Sequence, residues 1–425
     1  MLRIFGAQGS AAFQSHLFFA FSGNLSYALS QAAMLIVLAK FGTPAMVGQF
    51  GLGLALTTPI VLLSKLQLRS AIVTDVKSEY SFTDYARLRL LATVFAMLVV
   101  VCLLAVIAPA SGTIFVVLAV ALVKAIEGAS DLCSGILQKH GQWRSIAAAA
   151  CIKGVLAPFA LWAGLWWFVS PAAGLFCVAG CYLAVLALYE SRWVRPLVSG
   201  EPEPARPRGR ASVKSLLGLT LPLGIVATLL SLNVNLPRYV VSAHLGVEAL
   251  GYYTALTHLM VTGNTVVQAL GQAGLSSLAR SHGSGDRESF LRLLGYLLLA
   301  ALLVGLVCLS AALFFGGEIL SFVYRKNYAD YSSVFVWLSA GALLTYLSSV
   351  LGYALTAARL FRVQVPLYSA AAAVCLIGSL AWVPSWGLTG AAYATIAGWA
   401  TAAAGSAAVL LRSRRQPAAG RVAEA

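Results

Sequence analysis

Lys124, Glu127 and Asp131 stand three and four residues apart inside a run that is otherwise apolar. In a helix that spacing puts them on one face. Each charge facing lipid costs on the order of 2.5–3.5 kcal/mol on insertion scales, so the three together reach about 8–10 kcal/mol. The face must therefore point at protein or at water. Two readings fit. One is a self-neutralising Lys–Glu pair that packs the helix. The other is a charged lining in which a carboxylate takes up H+ or Na+ as a coupling ion. Asp131, nearer the helix end, could instead reach interfacial water.

Asn24, Tyr27 and Gln31 repeat the three-then-four spacing in the first apolar run. His258, Thr265, Gln268 and Gln272 form a similar stripe further along, with Thr257 and Asn264 beside it. Amides and hydroxyls at fixed positions suit sugar hydroxyls, and equally suit hydrogen bonds between membrane helices. A lone His258 reads more readily as a packing residue than as a proton relay. Lys65, Arg69, Lys153 and Arg238 are the cations placed near helix ends. They match a pyrophosphate headgroup or anchor helices at lipid phosphates. Arg238 is the sharper candidate, because cations are scarce on the side where it falls.

Motifs for covalent chemistry are missing from the chain. It contains no G-x-x-x-x-G-K-[ST] loop, no HExxH, and no Ser/His/Asp set on a roomy loop, so the reading is non-enzymatic. The seven cysteines (102, 133, 151, 177, 181, 308 and 375) all fall in apolar runs without a CxxC pair. That pattern points to packing rather than to disulfides or a metal site.

The elements that position these residues follow from composition. The 425-residue chain is 60% apolar and 10% charged, against roughly 25% charged in an ordinary soluble domain. Too little polar surface remains for a water-soluble globule. Runs long enough to span lipid, about 20 residues each, fall at 17–39, 47–66, 90–110, 114–137, 146–170 and 172–189. A second set falls at 216–236, 252–270, 291–315, 334–353, 363–383 and 388–410. Continuous rather than alternating apolarity selects helices over a barrel. The fold class expected is an all-α polytopic membrane protein of about 12 transmembrane helices.

A net charge of +15 is read by position, not as a sign of nucleic acid. With the N-terminus inside, Arg87, Arg89, Lys139, Arg144, Arg192, Arg195 and the tail Arg412, Arg414, Arg415 and Arg421 all lie on one side. Lys40, Arg238, Arg325 and Lys326 fall in outer loops. Retention of positive charge on the cytoplasmic side places both termini in the cytoplasm. No cleavable leader is read at the N-terminus. The outer connections at 110–112 and 384–387 are short, and 316–333 has room for at most a short helix, so no outer catalytic domain is expected. The Pro-rich stretch 196–212 reads as a cytoplasmic linker between lobes at 1–195 and 213–425. Pro59, Pro158, Pro222, Pro237 and Pro366 are candidate bend points.

The two halves also echo one another. Lys40-Phe41-Gly42 followed by Gly48-Gln49-Phe50 is matched by His244-Leu245-Gly246 followed by Gly251-Tyr252-Tyr253. The helix after each carries an expected breaker, Pro59 in one and Gly263 in the other. An even number of helices per repeat makes the copies parallel, an arrangement common in transporters, with the substrate path between them.

The stretch from Lys40 to Phe50, continued by Leu68-Arg69-Ser70-Ala71-Ile72-Val73-Thr74-Asp75, resembles the N-terminal signature of Wzx-type polysaccharide flippases. Leu245-Gly246-Val247-Glu248-Ala249-Leu250-Gly251-Tyr252-Tyr253 resembles its second-half counterpart. Trp386-Gly387-Leu388-Thr389-Gly390-Ala391-Ala392-Tyr393 resembles the closing element of that family. The resemblance covers nearly the whole chain. It implies the multidrug/oligosaccharidyl-lipid/polysaccharide (MOP) exporter fold, with two six-helix lobes around a central cavity. It also implies a lipid-linked oligosaccharide as substrate, a bacterial inner membrane as location, and membrane lipids and other polysaccharide-assembly proteins as partners. A drug/cation antiporter of the same superfamily and a membrane polysaccharide polymerase are the competing expectations.

Overall fold

The computed structural model describes residues 11–75, 78–200, 210–358 and 360–413. Part of the expected linker and the basic tail with Arg414, Arg415 and Arg421 lie outside the described residues. Helices dominate, and local chemistry sets several of their starts. Thr43 accepts from the Met46 N–H, with Pro44 in the first helical position, and so opens α2 (Pro44–Lys65) after α1 (Ala11–Phe41). Leu66 and Gln67 take left-handed φ values and separate α2 from α3 (Leu68–Thr74). Ser81 and Asp84 form a reciprocal capping box at the start of α4 (Phe82–Ile107).

The next elements are α5 (Ser111–Lys139), α6 (Trp143–Phe168) and α7 (Pro171–Ala184). α7 passes through a π-helical turn, Val185–Glu190, into α8 (Ser191–Ser199). Thereafter come α9 (Arg210–Gly283), α10 (Arg287–Val323), the short α11 (Lys326–Ala329), α12 (Ser332–Ala357) and α13 (Phe361–Ser413).

Nine helices among the described residues are long and apolar enough to cross a membrane, or ten with the bent pair Ser212–Pro222 and Ala227–Gly283 as one span. Two of these ten are too long for a single crossing. α9 has 74 residues and α13 has 53. At 1.5 Å per residue they would extend about 110 and 80 Å, against roughly 30 Å of hydrocarbon. Each is broken at a glycine with positive φ, Gly246 (φ 85°) and Gly387 (φ 57°), a conformation that other residues adopt only with strain. The chain turns back at both. In α13 Gly378 faces Ala394, Gly390 backs onto Trp382, and Gly398 meets Cys375, so numbering rises along one half as it falls along the other. In α9 Arg238 reaches Thr257 across the break. With both halved, the helices make the twelve crossings expected from the apolar runs.

The expected breakers behave otherwise. Neither Pro59 nor Gly263 interrupts its helix. Gly263 instead leaves room for Tyr346, whose hydroxyl oxygen would lie 2.3 Å from a Cβ at that position. A bend of 50° does occur between Pro222 and Ala227, where proline removes a helix hydrogen bond.

Two compact units are present, Met1–Ser231 and Leu232–Ala425. In the first, Gly23 lies beside Ala147 and Gly154 beside Ser26, so α1 and α6 run in the same direction. Gly53 beside Val117 and Gly135 beside Arg69 give α2–α3 and α5 a shared direction too. These pairings match the alternation of first with fifth and second with fourth crossings. The start of α9 packs into this unit through Ser212 Oγ, 3.1 Å from Asp84, and Ser215 Oγ, 3.1 Å from the Tyr80 hydroxyl. Its core gathers Leu68, Ile72, Tyr85, Leu132, Ile136 and Leu216. The second unit packs α9, α10, α12 and α13 around Leu294, Ala301, Tyr346, Val350 and Leu355. Outward faces carry large apolar side chains such as Phe95, Leu98, Trp167 and Phe314. In a membrane protein such surfaces face lipid.

Candidate functional site: a polar spine and a cationic cavity

α5 is the polar spine of the first unit. Lys124 Nζ lies 2.9 Å from Glu127 Oε2 and donates to the Tyr27 hydroxyl of α1 at 3.2 Å. That hydroxyl in turn lies 3.4 Å from the same carboxylate oxygen. The two charged side chains are only 12% and 10% exposed, so the expected self-neutralising pair forms and recruits a phenol as a third member. Glu127 Oε1 is buried without a partner among the described residues.

Asp131 does not join them. Its carboxylate sits 3.5 Å from Arg69 Nη1, and Arg69 Nε donates to Gln138 Oε1 at 2.9 Å. Helical geometry explains the split: the stripe 124–127–131–138 is shared, but seven residues of rise separate Lys124 from Asp131 by about 10 Å. The single expected cluster is therefore two pairs stacked along one helix, one on α1 and one on α3.

A third pair borders the spine. Lys153 Nζ from α6 lies 2.5 Å from Glu190 Oε1 of the π-helical turn, and Ser130 of α5 donates to that oxygen at 2.7 Å. Lys153 also bonds to Ser130 and stands over the Tyr182 ring at 5.8 Å. Glu190 is 2% exposed and lies one residue beyond the sixth apolar run, which ends at 189. Its signal was an acid followed directly by amphipathic sequence containing Trp193 and Val194. π-helical turns recur at functional positions, and here the turn brings a carboxylate onto a lysine.

Arg89, expected on the cytoplasmic side, is placed inside its helix. Arg89 lies two turns inside α4 at 4% exposure, giving one hydrogen bond to the Ser64 carbonyl at 3.2 Å. Its Nε and Nη2 have no partner among the described residues. Arg89, Lys65 and Lys124 line a small gap between α2, α4 and α5.

The second unit holds a cavity of about 110 Å³. Arg238, Tyr253, Thr257, Asn264, Thr395 and Trp399 are among its lining residues, and no Asp or Glu is. Arg238 was expected in an outer loop. It lies within α9 instead, eight residues before the Gly246 break, and is 8% exposed. It donates to Asn235 Oδ1 at 3.2 Å and to Thr257 Oγ1 at 3.3 Å, while its Nε has no partner among the described residues. Asn264 presents a buried Oδ1, also without a partner. Tyr253 and Thr395 hydroxyls meet at 3.2 Å.

Of the remaining expected residues, Asn24 is exposed on α1 and Gln31 is half-buried on the same helix. His258 is half-buried beside the cavity residue Thr257, and Gln268 is exposed one turn beyond Asn264. The structure thus unites Tyr27 with Lys124 and Glu127, Arg69 with Asp131, and Arg238 with Asn264. It does not gather the whole amide stripe. Among the described residues no group of three His, Cys, Asp or Glu side chains is placed to hold a metal ion.

The twelve crossings and intramembrane charge pairs define a polytopic membrane protein. Solved structures with this architecture include the inward-facing conformation of a multidrug resistance MATE family transporter of the MOP superfamily. It is similar at a TM-score of 0.74 and 14% identity, over 91% of this chain and 94% of that one. The lipid II flippase MurJ, in an inward closed conformation, is similar at a TM-score of 0.72 and 12% identity, over 94% of this chain and 88% of that one. At such identities the likeness carries the fold. Capsular polysaccharide biosynthesis protein CapF of Staphylococcus aureus is 26% identical over 377 residues, covering 88% of this chain and 92% of CapF. The polysaccharide biosynthesis protein family model matches residues 15–276. The chain belongs to that family.

Proposed function

We propose that the protein is a flippase that carries polyprenyl-pyrophosphate-linked oligosaccharide from the cytoplasmic to the outer face of a bacterial inner membrane. Two lobes, 1–195 and 213–425 joined through 196–212, alternate access to the two sides of the membrane, with both termini cytoplasmic. The undecaprenyl tail stays among membrane lipids while headgroup and sugars pass through the polar interior. The observation that carries this reading is the charge balance of the buried groups. Lys124, Lys153 and Arg69 are each matched by a carboxylate, whereas Arg89 and Arg238 have none among the described residues. A buried, uncompensated cation costs several kcal/mol, a cost that an anionic substrate offsets while bound.

Glu127 is the residue we assign to ion coupling, with H+ or Na+ as the ion, because its free Oε1 can accept a proton without breaking the contact of Oε2 with Lys124. Asp131 is the second candidate. A cation antiporter is disfavoured on the same balance, since every carboxylate named on the spine already holds a cation. Other polysaccharide-assembly proteins would supply and consume the lipid-linked repeat unit.

The test is the sidedness of lipid-linked oligosaccharide in cells lacking the protein. Accumulation on the cytoplasmic side, relieved by the wild type and not by Arg238→Ala, is the expected result. Normal sidedness together with altered resistance to cationic dyes would replace this reading by the antiporter.

A further inference from the structure

The cavity of the second unit carries a demand that a pyrophosphate diester does not meet. Arg238 is over nine-tenths buried, and its two hydrogen bonds go to neutral acceptors, an amide and a hydroxyl. The Thr257 hydroxyl already spends its proton on the Tyr253 and Thr254 carbonyls, so it can only accept from the guanidinium. No carboxylate lines the cavity. A full positive charge in this setting calls for an oxyanion. Asn264 Oδ1 calls for the opposite partner, because it is a buried acceptor with no donor among the described residues. A pyrophosphate diester, fully ionised at neutral pH, brings acceptors only. The ligand must therefore carry an oxyanion and a hydroxyl donor on one small body.

Charge number narrows the class further. The lining holds one cation, which balances a single negative charge, whereas a pyrophosphate carries at least two. Trp399 and Tyr346 supply aromatic surface beside the polar groups, and the C–H face of a pyranose packs well on such surface. About 110 Å³ is room for a few water molecules at roughly 30 Å³ each. That suffices for a carboxylate and the hydroxyls beside it, not for a whole repeat unit.

We propose that this cavity is a subsite for an acidic sugar, a uronic acid residue of the carried oligosaccharide, with Arg238 on the carboxylate and Asn264 accepting from a ring hydroxyl. The inference rests on the flippase reading for its biological meaning but not for its chemistry. Pyrophosphate recognition would then fall to other cations.

Purified full-length protein in lipid nanodiscs is equilibrated with radiolabelled D-glucuronate, and displacement is measured with unlabelled D-glucuronate, D-glucose and inorganic pyrophosphate. Saturable binding is expected, with glucose and pyrophosphate each at least tenfold weaker as competitors. Arg238→Gln should weaken binding at least tenfold and Asn264→Leu several-fold, each at an unchanged melting temperature. If Arg238→Gln lowers the melting temperature, Asn264→Leu decides alone. Absence of saturable binding, full binding in the stably folded variants, or stronger displacement by pyrophosphate overturns the subsite. Movement of lipid-linked oligosaccharide is followed in parallel. Glucuronate binding without movement keeps the subsite and removes the flippase reading. Movement without glucuronate binding does the reverse.

Discussion

Lys153 and Glu190 come from different helices and meet with Nζ and Oε1 2.5 Å apart, and Ser130 holds the same carboxylate oxygen from a third. Such a pair is expensive to half-remove. Leaving one buried charge without its partner costs about 3–5 kcal/mol, whereas replacing both by apolar groups of similar size is often neutral. Glu190→Gln should therefore lower the melting temperature of the detergent-purified protein sharply, and Lys153→Met with Glu190→Leu should recover most of the loss. A double variant as unstable as the single one would show that the pair does not act as a unit.

Glu127 and Lys124 lead to a prediction about coupling rather than stability. Glu127→Gln keeps the hydrogen-bond geometry toward Lys124 and Tyr27 but removes the proton acceptor. Transport of lipid-linked oligosaccharide by this variant should become insensitive to a protonophore or to sodium replacement, whichever slows the wild type. Wild-type sensitivity in both Glu127→Gln and Asp131→Asn would remove the α5 carboxylates from the coupling path.

Gly263 and Tyr346 are complementary in shape. A Cβ at 263 would lie 2.3 Å from the Tyr346 hydroxyl, and that hydroxyl donates to the Met260 carbonyl at 2.7 Å. Overpacking of this kind costs typically about 1–3 kcal/mol. Gly263→Ala should destabilise by that amount and Tyr346→Phe by about 1 kcal/mol for the lost hydrogen bond. The double variant should cost less than the two combined, since the second change relieves the first. Strict additivity in thermal melts would place the two residues out of contact.

Asp286 gives a pH dependence outside the membrane. Its carboxylate accepts the Ser289 N–H at 3.0 Å at the start of α10, which holds its carboxyl below the ordinary value. A depressed folded value means that the cap stabilises above the unfolded pKa, about 3.9, and is lost as pH falls through the folded one. Asp286→Asn, which can still cap, should flatten the acid limb of the melting-temperature profile below about pH 4. An unchanged limb would show that the cap does not titrate with folding.

Much of the scaffold is legible in the sequence because lipid leaves a protein little choice. Twelve apolar runs become twelve crossings, and the two places where two runs merge into one long helix turn on Gly246 and Gly387. The Lys124–Glu127 pair is local, so spacing alone finds it. Asp131 finds Arg69, and Lys153 finds Glu190, through tertiary packing that periodicity does not encode. Glu190 was hidden because a π-helical turn shifts the register of the helix face. Arg89 and Arg238 were read as interfacial because charge counting sees sidedness and not burial. Asn233, Asn235 and Pro237 lower the local apolarity around Arg238 and make a buried segment look like a helix end. Gly263 looked like a breaker because propensity describes the backbone, while its role is the space it leaves for Tyr346.

The partnering of the two lysines also has a temporal side. Lys124 and Glu127 are three residues apart, so they leave the ribosome almost together and can enter the bilayer as a neutral pair on a single nascent helix. Lys153 precedes Glu190 by 37 residues. At about 5–20 residues per second of synthesis, its ammonium waits roughly 2–7 seconds for its carboxylate. During that interval the nascent α6 is a poor guest for lipid, and it is better retained beside the insertion machinery until the π-helical turn arrives to release it.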